Sequence, residues 1–418
     1  MKGLIAFISL LFPLLILAQM DNSKIVQEKV KQAQEYLQSN KISGWLLYDF
    51  WGLNPIAAEF LKPSGMASRR WLYFIPQSGR PIALVHQIEK SSFRDAAGYV
   101  EIYASREELV NKLSQILSGH KSILMEYSPK GNNPYVSYLD AGTYELIKSL
   151  GVKIESSQGI IQHVLARWTK PGYRLHKETA GLLLGIKDKA FDYVVDKVKT
   201  GATLTEYDLQ QFILKEFEKN GLVTDSPPIC AVNSNSGNPH YSPSKQQSQP
   251  IRKGDFLLLD LWAKKNQAEA IYADITWTAY LGEKVPEKYA MIFKIVAQAR
   301  DKAVEFLKKN WPEKDVAGWQ VDNLAREVIR QSGYADFFTH RTGHSLGTSV
   351  HGLGVNLDNF ETRDERKIIL GSGFTIEPGI YLKDFGIRSE INVYAGEKGL
   401  EVTTLPWQTQ VLPLLKSK

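Results

Sequence analysis

The chain has 418 residues, of which 43% are hydrophobic and 23% are charged, and its formal net charge is +6. This composition is typical of a globular protein, and the length suggests two domains or one large domain. Lysines and arginines are scattered among acidic residues without a long basic block, so we expect no nucleic-acid partner. The single cysteine, Cys230, excludes an intrachain disulfide, and its apolar setting in "PPICAV" favours a core position.

The first residues, "MKGLIAFISLLFPLLILAQ", have the pattern of a secretory signal. Lys2 supplies the positive charge, Leu4–Leu17 the apolar region, and Ala18 a small residue before a cleavage point. The apolar run is short for a membrane span and is interrupted by Pro13. We therefore predict a signal peptide over residues 1–18 and a periplasmic or secreted protein with no stable membrane span after its removal. The alternative is an uncleaved anchor.

Residues 22–166 alternate between helix and strand patterns. "SKIVQEKVKQAQEYLQSN" has helical periodicity, whereas "GWLLYDF", "RWLYFIP" and "PIALVHQ" are typical of strands. This alternation predicts a self-contained α/β domain. The Lys-Pro-Gly step in "RWTKPGYRLHKE" predicts a break in structure and a domain boundary.

The remainder of the chain has longer helical patterns and then a glycine-rich, strand-rich end. Strand patterns occur in "GDFLLLDLWA" and "EAIYADITWTAYLG", with the polar "KKNQ" as the turn between them. Helical patterns cover about 174–199, 204–220, 286–309 and 315–332, and strand patterns predominate from 338 to 413.

The stretch "GHSLG", residues 343–347, matches the G-x-S-x-G nucleophile elbow of serine hydrolases. An elbow requires an apolar strand before the serine and a helix after it. Here "FFTHRT" precedes the motif, and the glycines that follow are poor helix formers. His351, the last histidine, lies only six residues after Ser345, too near for the distant histidine of a triad. We therefore expect Ser345 not to be a nucleophile.

Four acidic residues stand where the sequence is otherwise typical of buried strands: Asp260, Asp274, Glu377 and Glu390. Burying an ionised carboxylate costs several kcal/mol unless the group is paired or binds a metal. One such residue alone is most often a hydrogen-bonded acid at a strand end. Together with His344, which is flanked by glycines, the four form a hard, oxygen-rich set suited to divalent cations. Bridging carboxylates allow five such side chains to hold two ions about 3.5–4 Å apart.

In this order, "LLLDLWA", "YADITWTAYLG", "HRTGHSLG", "VHGLG", "FTIEPGIYL" and "IRSEINV" resemble the M24 metallopeptidase family. That family has the pita-bread fold and includes Xaa-Pro aminopeptidases, prolidases and methionine aminopeptidases. The resemblance covers residues of about 170–410. It implies an α+β protein, with a pita-bread catalytic domain over 170–418 and a smaller creatinase-type α/β domain over 22–166. The extra N-terminal domain favours the proline-directed branch of the family.

The resemblance also implies a ligand set and a cofactor. All five metal-ligand positions of the family are matched, by Asp260, Asp274, His344, Glu377 and Glu390. The implied cofactor is two divalent metal ions. Manganese is favoured, with cobalt, iron and zinc as alternatives.

Further roles follow from the same resemblance. Glu377 would act as the base near the attacking water, His351 would contact the substrate, and His240 would line the same pocket. Arg388 lies two residues before Glu390, so strand alternation places both on one face, where the guanidinium could orient or neutralise the carboxylates.

Two polar residues are predicted to lie around this centre. Thr276 is two residues after Asp274 and is suited to hydrogen-bond a ligand or a bridging water, although a β-branched residue is equally ordinary in a strand. His340 resembles a position beside the ligands or in the pocket. Trp262 and Trp277 depart from the residues common in the family, which leaves the shape of the pocket and its specificity open.

The predicted function is removal of the residue before proline from peptides, as in an Xaa-Pro aminopeptidase, with substrates that carry proline at their second position. The alternative is an Xaa-Pro dipeptidase (prolidase). From another class, a non-catalytic peptide-binding pita-bread protein remains open, as does a metal-free creatinase-like hydrolase. Family members often pair so that a neighbour closes the site, so a homodimer is expected by analogy.

Overall fold

The protein is described here by a computed structural model that covers residues 8–65 and 67–416, with side chains described from residue 22 onward. The signal peptide predicted over residues 1–18 therefore lies outside the described side chains. Among the residues that were described, no helix combines the length and apolar character needed to cross a membrane. The chain divides into two compact units, Met1–Leu165 and Ala166–Lys418.

The first unit combines five α-helices with six strands among the described residues. The helices are α1 (Ile8–Ser39), α2 (Pro55–Leu61), α3 (Arg106–Leu117), α4 (Ala141–Ser149) and α5 (Gln158–Leu165). The strands are β1 (Gly44–Asp49), β2 (Trp71–Pro76), β3 (Ile82–His86), β4 (Tyr99–Tyr103), β5 (Ser122–Met125) and β6 (Lys153–Ser156). They form a mixed sheet in the order β4-β3-β2-β1-β5-β6, in which β1–β2 and β2–β3 are antiparallel and the other pairs parallel. Leu109, Leu113 and Leu117 of α3 are spaced to one face of the helix and belong to the core built on this sheet.

The second unit begins its first helix at Lys170, so the Lys-Pro-Gly step opens a helix rather than breaking one. Proline is favoured in the first turn because its missing N–H has no partner there, and Thr169 Oγ1 accepts the Gly172 N–H at 3.0 Å. The helices are α6 (Lys170–Thr200), α7 (Glu206–Lys219), α8 (Glu287–Asn310) and α9 (Gly318–Gln331). The strands are β7 (Leu222–Val223), β8 (Ile229–Val232), β9 (Phe256–Lys265), β10 (Ala273–Tyr280), β11 (Ser345–Leu346), β12 (Gly373–Ile376), β13 (Gly379–Tyr381), β14 (Gly386–Arg388), β15 (Ile391–Gly396), β16 (Gly399–Val402) and β17 (Leu412–Pro413).

The long antiparallel pair β9–β10 is buried on both faces, and its two faces differ in chemistry. Leu259, Leu261 and Ile275 belong to the hydrophobic core formed with α6 and α7. Because side chains alternate along a strand, Asp260 and Asp274 point to the other face. The strand periodicity therefore places the unusual acids together, away from the leucine-rich core.

A second antiparallel sheet, in the order β11-β12-β15-β16, brings the glutamates to one end. Ile376 of β12 pairs with Ile391 of β15, so Glu377 directly follows one strand and Glu390 directly precedes the other. The short hairpin β13–β14 lies between these two glutamates in the chain, and its Gly379 pairs with Arg388. Through this hairpin the chain turns back, so that Glu390 lies near Glu377 although thirteen positions separate the two residues.

Candidate metal centre

The ladder between β9 and β10 sets the positions of the two aspartates. Thr276 pairs directly with Asp260, and Asp274 pairs with Trp262. Asp274 is also fixed through its backbone, since its N–H donates to Asn392 Oδ1 at 2.9 Å and its carbonyl accepts from Asn392 Nδ2 at 2.7 Å. Asn392 belongs to β15, so these two hydrogen bonds tie the strands that carry the aspartates to the sheet that carries the glutamates.

Thr276 connects the two sheets through its side chain. Its Oγ1 lies 3.1 Å from Asp260 Oδ1 and 2.7 Å from Glu390 Oε2, and it accepts a hydrogen bond from Arg388 Nε at 2.9 Å. A hydroxyl has a single proton, so it donates to one carboxylate at a time. Thr276 is completely buried, and its contacts are those of a residue that orients the surrounding acids.

His344 presents one ring nitrogen to the carboxylates. Its Nδ1 lies 3.1 Å from the Ser345 carbonyl, which can only accept, so Nδ1 carries the proton. Burial lowers the pKa of His344 and keeps the ring neutral. The lone pair of Nε2 then faces Asp274 Oδ2 at 3.6 Å and Glu377 Oε1 at 3.4 Å. This tautomer is the one that an imidazole needs to ligate a metal through Nε2.

The glycine before His344 is required by close packing. A Cβ placed on Gly343 would lie 2.0 Å from the Thr375 carbonyl oxygen. The backbone at this point continues the pairing with β12, because Thr375 N–H donates to the His344 carbonyl at 2.8 Å. The Thr375 side chain accepts from His344 N–H at 2.9 Å and donates to Glu377 Oε1 at 3.1 Å. One threonine thus orients both the histidine and the glutamate.

The donor set fits a divalent cation. Ligand atoms of Asp274, His344 and Glu390 all lie within 4.8 Å of one another. Among the described residues, Asp274 Oδ1 and Glu390 Oε1 are buried and have no hydrogen-bond partner. Burial together with the neighbouring carboxylates raises the pKa of Asp274 and of Glu390 well above the usual range. Crowded, unpaired lone pairs of this kind are stabilised by a bound cation.

Asp260 and Glu377 complete the cluster from either side of this trio. Asp260 is joined to it through Thr276 and is paired with the Arg388 guanidinium by a hydrogen bond from Nη2. Glu377 is joined through His344, and its Oε2 lies 3.9 Å from Arg388 Nε. All five residues predicted as ligands are therefore brought to one place by five different segments of chain.

Arg388 and His340 are connected by a residue that the sequence analysis did not select. The Tyr381 hydroxyl lies 2.7 Å from His340 Nε2 and accepts from Arg388 Nη1 at 3.2 Å. His340 Nδ1 lies 2.7 Å from the Arg341 carbonyl, so Nδ1 carries the proton and Nε2 accepts from the tyrosine. Burial and the Arg388 charge lower the pKa of His340 to about 3. His340 thus orients a hydrogen-bond chain that reaches Asp260 through Arg388.

The two histidines predicted to contact substrate are exposed. The ring of His351 lies edge-on to that of His344, with centroids 4.5 Å apart. The proximity of His344, together with partial burial, lowers the pKa of His351 to about 3, so its ring is neutral. His240 lies close to His351. Both side chains are accessible to a molecule that approaches the carboxylates.

The loop that carries His240 is held by Glu206, another residue missed from sequence. Glu206 is fully buried at the start of α7. Its carboxylate accepts from the backbone N–H of Val232 at 2.7 Å and of Gln249 at 2.8 Å, and from the Tyr241 hydroxyl at 2.6 Å. These bonds fix both ends of the loop and the residue next to His240. The signal in the sequence was an acid that follows the helix-capping Thr205.

Ser345 has the surroundings of a structural residue. It is almost completely buried, and its Oγ accepts the Gly354 N–H at 2.9 Å. Its own N–H donates to Asn356 Oδ1 at 3.0 Å. No histidine contacts its hydroxyl among the hydrogen bonds of the described residues, in agreement with the rejection of the serine-hydrolase motif.

Trp277, one of the two tryptophans that depart from the family pattern, faces away from the clustered acids. It belongs to the core with α6, and the Lys187 ammonium lies 3.8 Å from the centre of its ring. Alternation along β10 explains this, because Asp274 and Thr276 occupy the opposite face. Trp277 therefore belongs to the packing between helix and sheet.

Comparison with known families gives a direct match. Residues 184–397, just over half of the chain, match the model of metallopeptidase family M24. This region contains all five clustered residues together with His240, His340, His351 and Arg388.

Three curated relatives show the range of proteins to which the chain is similar. A putative dipeptidase, YkvY, of Bacillus subtilis (strain 168) is 30% identical over 67% of this chain and 74% of its own length. An Xaa-Pro dipeptidase of Pyrococcus furiosus is 31% identical over 52% of this chain and 58% of its own length. A putative Xaa-Pro aminopeptidase of Mycoplasma genitalium is 32% identical over 45% and 49%, respectively. For the latter two, the match spans only about half of the relative's length.

A solved structure extends the comparison to nearly the whole chain. The dipeptidase PepE from Mycobacterium ulcerans superimposes with a TM-score of 0.71 at 19% identity, covering 94% of this chain and 99% of that one. The expected mixed helix-and-sheet fold of pita-bread type, with two domains, is thereby confirmed.

Proposed function

This chain belongs to metallopeptidase family M24, and from that membership and the geometry of the cluster we propose that it hydrolyses Xaa-Pro peptide bonds with two divalent cations. The observation that carries the proposal is the convergence of His344 Nε2 on Asp274 Oδ2 at 3.6 Å and on Glu377 Oε1 at 3.4 Å. The unpaired buried oxygens of Asp274 and Glu390 add to it.

In this proposal, the side chains that would hold the two cations are Asp260, Asp274, His344, Glu377 and Glu390. When bound, such ions supply Lewis acidity, which lowers the pKa of a water and polarises a carbonyl group. Oxygen ligands with one imidazole suit manganese and do not exclude cobalt, iron or zinc. The rest of the chemistry is assigned to residues of this chain.

Glu377 is the proposed proton carrier. Its side chain is 12% exposed, and Thr375 and Arg388 lie beside its two oxygens. A carboxylate so placed can take a proton from the attacking water and deliver it to the departing nitrogen. Proline leaves as a secondary amine, which needs that proton. Thr375 orients Oε1 of Glu377 for both transfers.

His351 and His240 are the proposed substrate contacts. Because the pKa of His351 is lowered, its neutral ring offers one N–H donor at neutral pH. Donation to the carbonyl oxygen of the scissile bond would strengthen as negative charge develops on that oxygen. His240, on the loop held by Glu206, would contact the substrate beside the same scissile bond.

Specificity for proline is supported by the relatives named above, two of which carry an Xaa-Pro designation. An Xaa-Pro bond has no N–H, so an enzyme for it cannot use that hydrogen bond for recognition. The preferred candidate is removal of the N-terminal residue from longer peptides, which is also the activity that the sequence predicts. Hydrolysis restricted to Xaa-Pro dipeptides is the second candidate, favoured by the relatives named as dipeptidases.

The experiment is a manganese-supplemented assay with Xaa-Pro dipeptides, Xaa-Pro-Yaa tripeptides and proline-free controls. Cleavage of the tripeptides with release of the first residue supports the aminopeptidase. Cleavage of dipeptides alone supports the dipeptidase. Cleavage of only the proline-free controls would overturn proline specificity, and cleavage of none would favour the non-catalytic alternative.

Export, domain limits and assembly also belong to this proposal. The pattern of residues 1–18 supports a signal peptide and a periplasmic or secreted location, which N-terminal sequencing of the mature protein would test. The proposed domains are 22–166 and 170–418. A homodimer is proposed by family analogy, and sedimentation analysis would measure it.

A further inference from the structure

Trp262 lies next to the metal-centre carboxylates without being one of the five clustered residues. It follows Asp260 by two positions, so both side chains project from the same face of β9. In the ladder it pairs directly with Asp274. Directly opposed residues in antiparallel strands have Cβ atoms about 4.5–5.5 Å apart, so the Trp262 side chain leaves the backbone next to that of Asp274.

The indole is held in place on two sides. Its Nε1–H donates to Asp225 Oδ1 at 3.0 Å. It packs against one hydrophobic cluster that contains Ile229 and against another that contains Tyr272 and Leu346. The side chain nevertheless remains only half-buried. A large ring fixed by packing and by a hydrogen bond, with one part accessible, forms a rigid wall.

Charge indicates which end of a peptide would meet this wall. Asp225 is exposed and supplies a carboxylate beyond the five clustered residues. The positive charge lies elsewhere, because the Arg388 guanidinium donates hydrogen bonds to Thr276 and Asp260, which form a neighbouring residue pair of the β9–β10 ladder. The ammonium group of a peptide is attracted to the acidic side of such a site. The first residue of the peptide is therefore expected beside Trp262.

We propose that Trp262, held by Asp225, is the wall of the subsite for the first residue of the substrate and restricts that residue to a small side chain. The substrate class is thus peptides that begin with glycine or alanine before proline, in preference to leucine or phenylalanine. Hydrophobic pockets discriminate between side chains of different size by about 10–200-fold. This inference rests on the proposed peptidase function and deepens it.

The test compares kcat/KM for Gly-Pro, Ala-Pro, Leu-Pro and Phe-Pro peptides with a proline-free series that has the same first residues. For the wild type, we expect glycine or alanine to be favoured over phenylalanine by about tenfold or more. In Trp262→Ala, the ratio of the phenylalanine to the glycine substrate should rise by about tenfold or more. Trp262→Leu, which keeps more of the core volume, should change the ratio in the same direction.

Trp319→Ala is the matched control, because Trp319 is also half-buried but lies on α9, where it contacts Arg363. It should leave the ratio unchanged. A uniform change in kcat/KM for all first residues in both Trp262 variants, with normal metal content, would overturn the inference while sparing the peptidase function. If only the proline-free series is cleaved, the proline assignment fails, but the size ratio still tests Trp262. Cleavage of neither series would overturn both.

Discussion

The hydroxyl of Thr276 lies 2.7 Å from Glu390 Oε2, although the two residues are 114 positions apart in the chain. The same hydroxyl lies 3.1 Å from Asp260 Oδ1. One buried side chain with a single proton thus connects carboxylates from two sheets. Residues in this position hold metal ligands in their productive orientation.

Replacement of Thr276 by valine should weaken metal binding without removing a ligand. Valine keeps the β-branched shape that suits β10 but leaves both carboxylates without their hydroxyl partner. We expect a loss of about 10–100-fold in manganese affinity, measured by titration calorimetry. Thr276→Ser, which keeps the hydroxyl, should restore most of the affinity. Equal affinities for Thr276→Val and the wild type would show that the hydroxyl has no such role.

Ser345→Ala should keep most of the activity, whereas His344→Ala should lose it. Loss of the serine hydroxyl leaves the Gly354 N–H without its acceptor, which costs about 1–3 kcal/mol of stability, but most activity should remain. Loss of the imidazole removes one of the proposed metal ligands and should abolish turnover. Peptidase rates and metal content of the two variants check this. An inactive serine variant with full metal content would restore the nucleophile interpretation.

Glu206→Gln should impair catalysis through the loop that carries His240. A glutamine amide group would face the N–H groups of Val232 and Gln249 and cannot accept from both as the carboxylate does. Hydrogen bonds to a charged group contribute about 1.5–3 kcal/mol each, so the melting temperature should fall. At saturating metal, kcat/KM should fall as well. Tyr241→Phe, which removes only one of these bonds, should have a smaller effect on both quantities.

A result in which Glu206→Gln lowers the melting temperature but leaves kcat/KM intact would assign Glu206 to folding alone. It would also show that a less stable loop still holds His240 in its working position. The comparison therefore requires kinetic measurements well below the melting temperature of the variant.

Glu126, in the first unit, should make stability depend on pH. Complete burial raises its pKa from 4.5 to about 7. The folded state therefore retains a proton that the unfolded state has released, so this contribution is full below pH 4.5 and is lost as the pH rises through 7. The loss amounts to about 3 kcal/mol. Relative to the wild type, Glu126→Gln should become more stable as the pH rises from 5 to 8 in urea unfolding.

Glu107, exposed in the first turn of α3, provides the control for that series. Its replacement by glutamine should leave the pH dependence of the wild type intact. If the stability difference between Glu126→Gln and the wild type were constant from pH 5 to 8, the buried carboxyl would not titrate in this range.

Much of the arrangement follows from short-range pattern. Acids at alternate positions of apolar strands, such as Asp260 and Asp274, indicated a shared polar face. The two-residue spacing of Arg388 and Glu390 indicated another. The same alternation places Trp277 on the opposite face from Thr276, in the core with α6.

Contacts between distant segments could not be predicted in this way. Asn392 holds Asp274 across 118 positions, and Tyr381 joins His340 to Arg388 only because the β13–β14 hairpin returns toward the cluster. Glu206 reaches Gln249 across 43 positions. An ordinary asparagine, tyrosine or glutamate acquires such a role from tertiary packing, for which a single sequence has no local signal.

The metal content of the purified protein tests the central claim most directly. After exchange into manganese and removal of the excess, elemental analysis should find about two equivalents per chain, and Asp274→Asn and His344→Ala should each retain less. A wild-type protein that binds no manganese, cobalt, iron or zinc under these conditions would contradict the account. So would wild-type metal content in both variants.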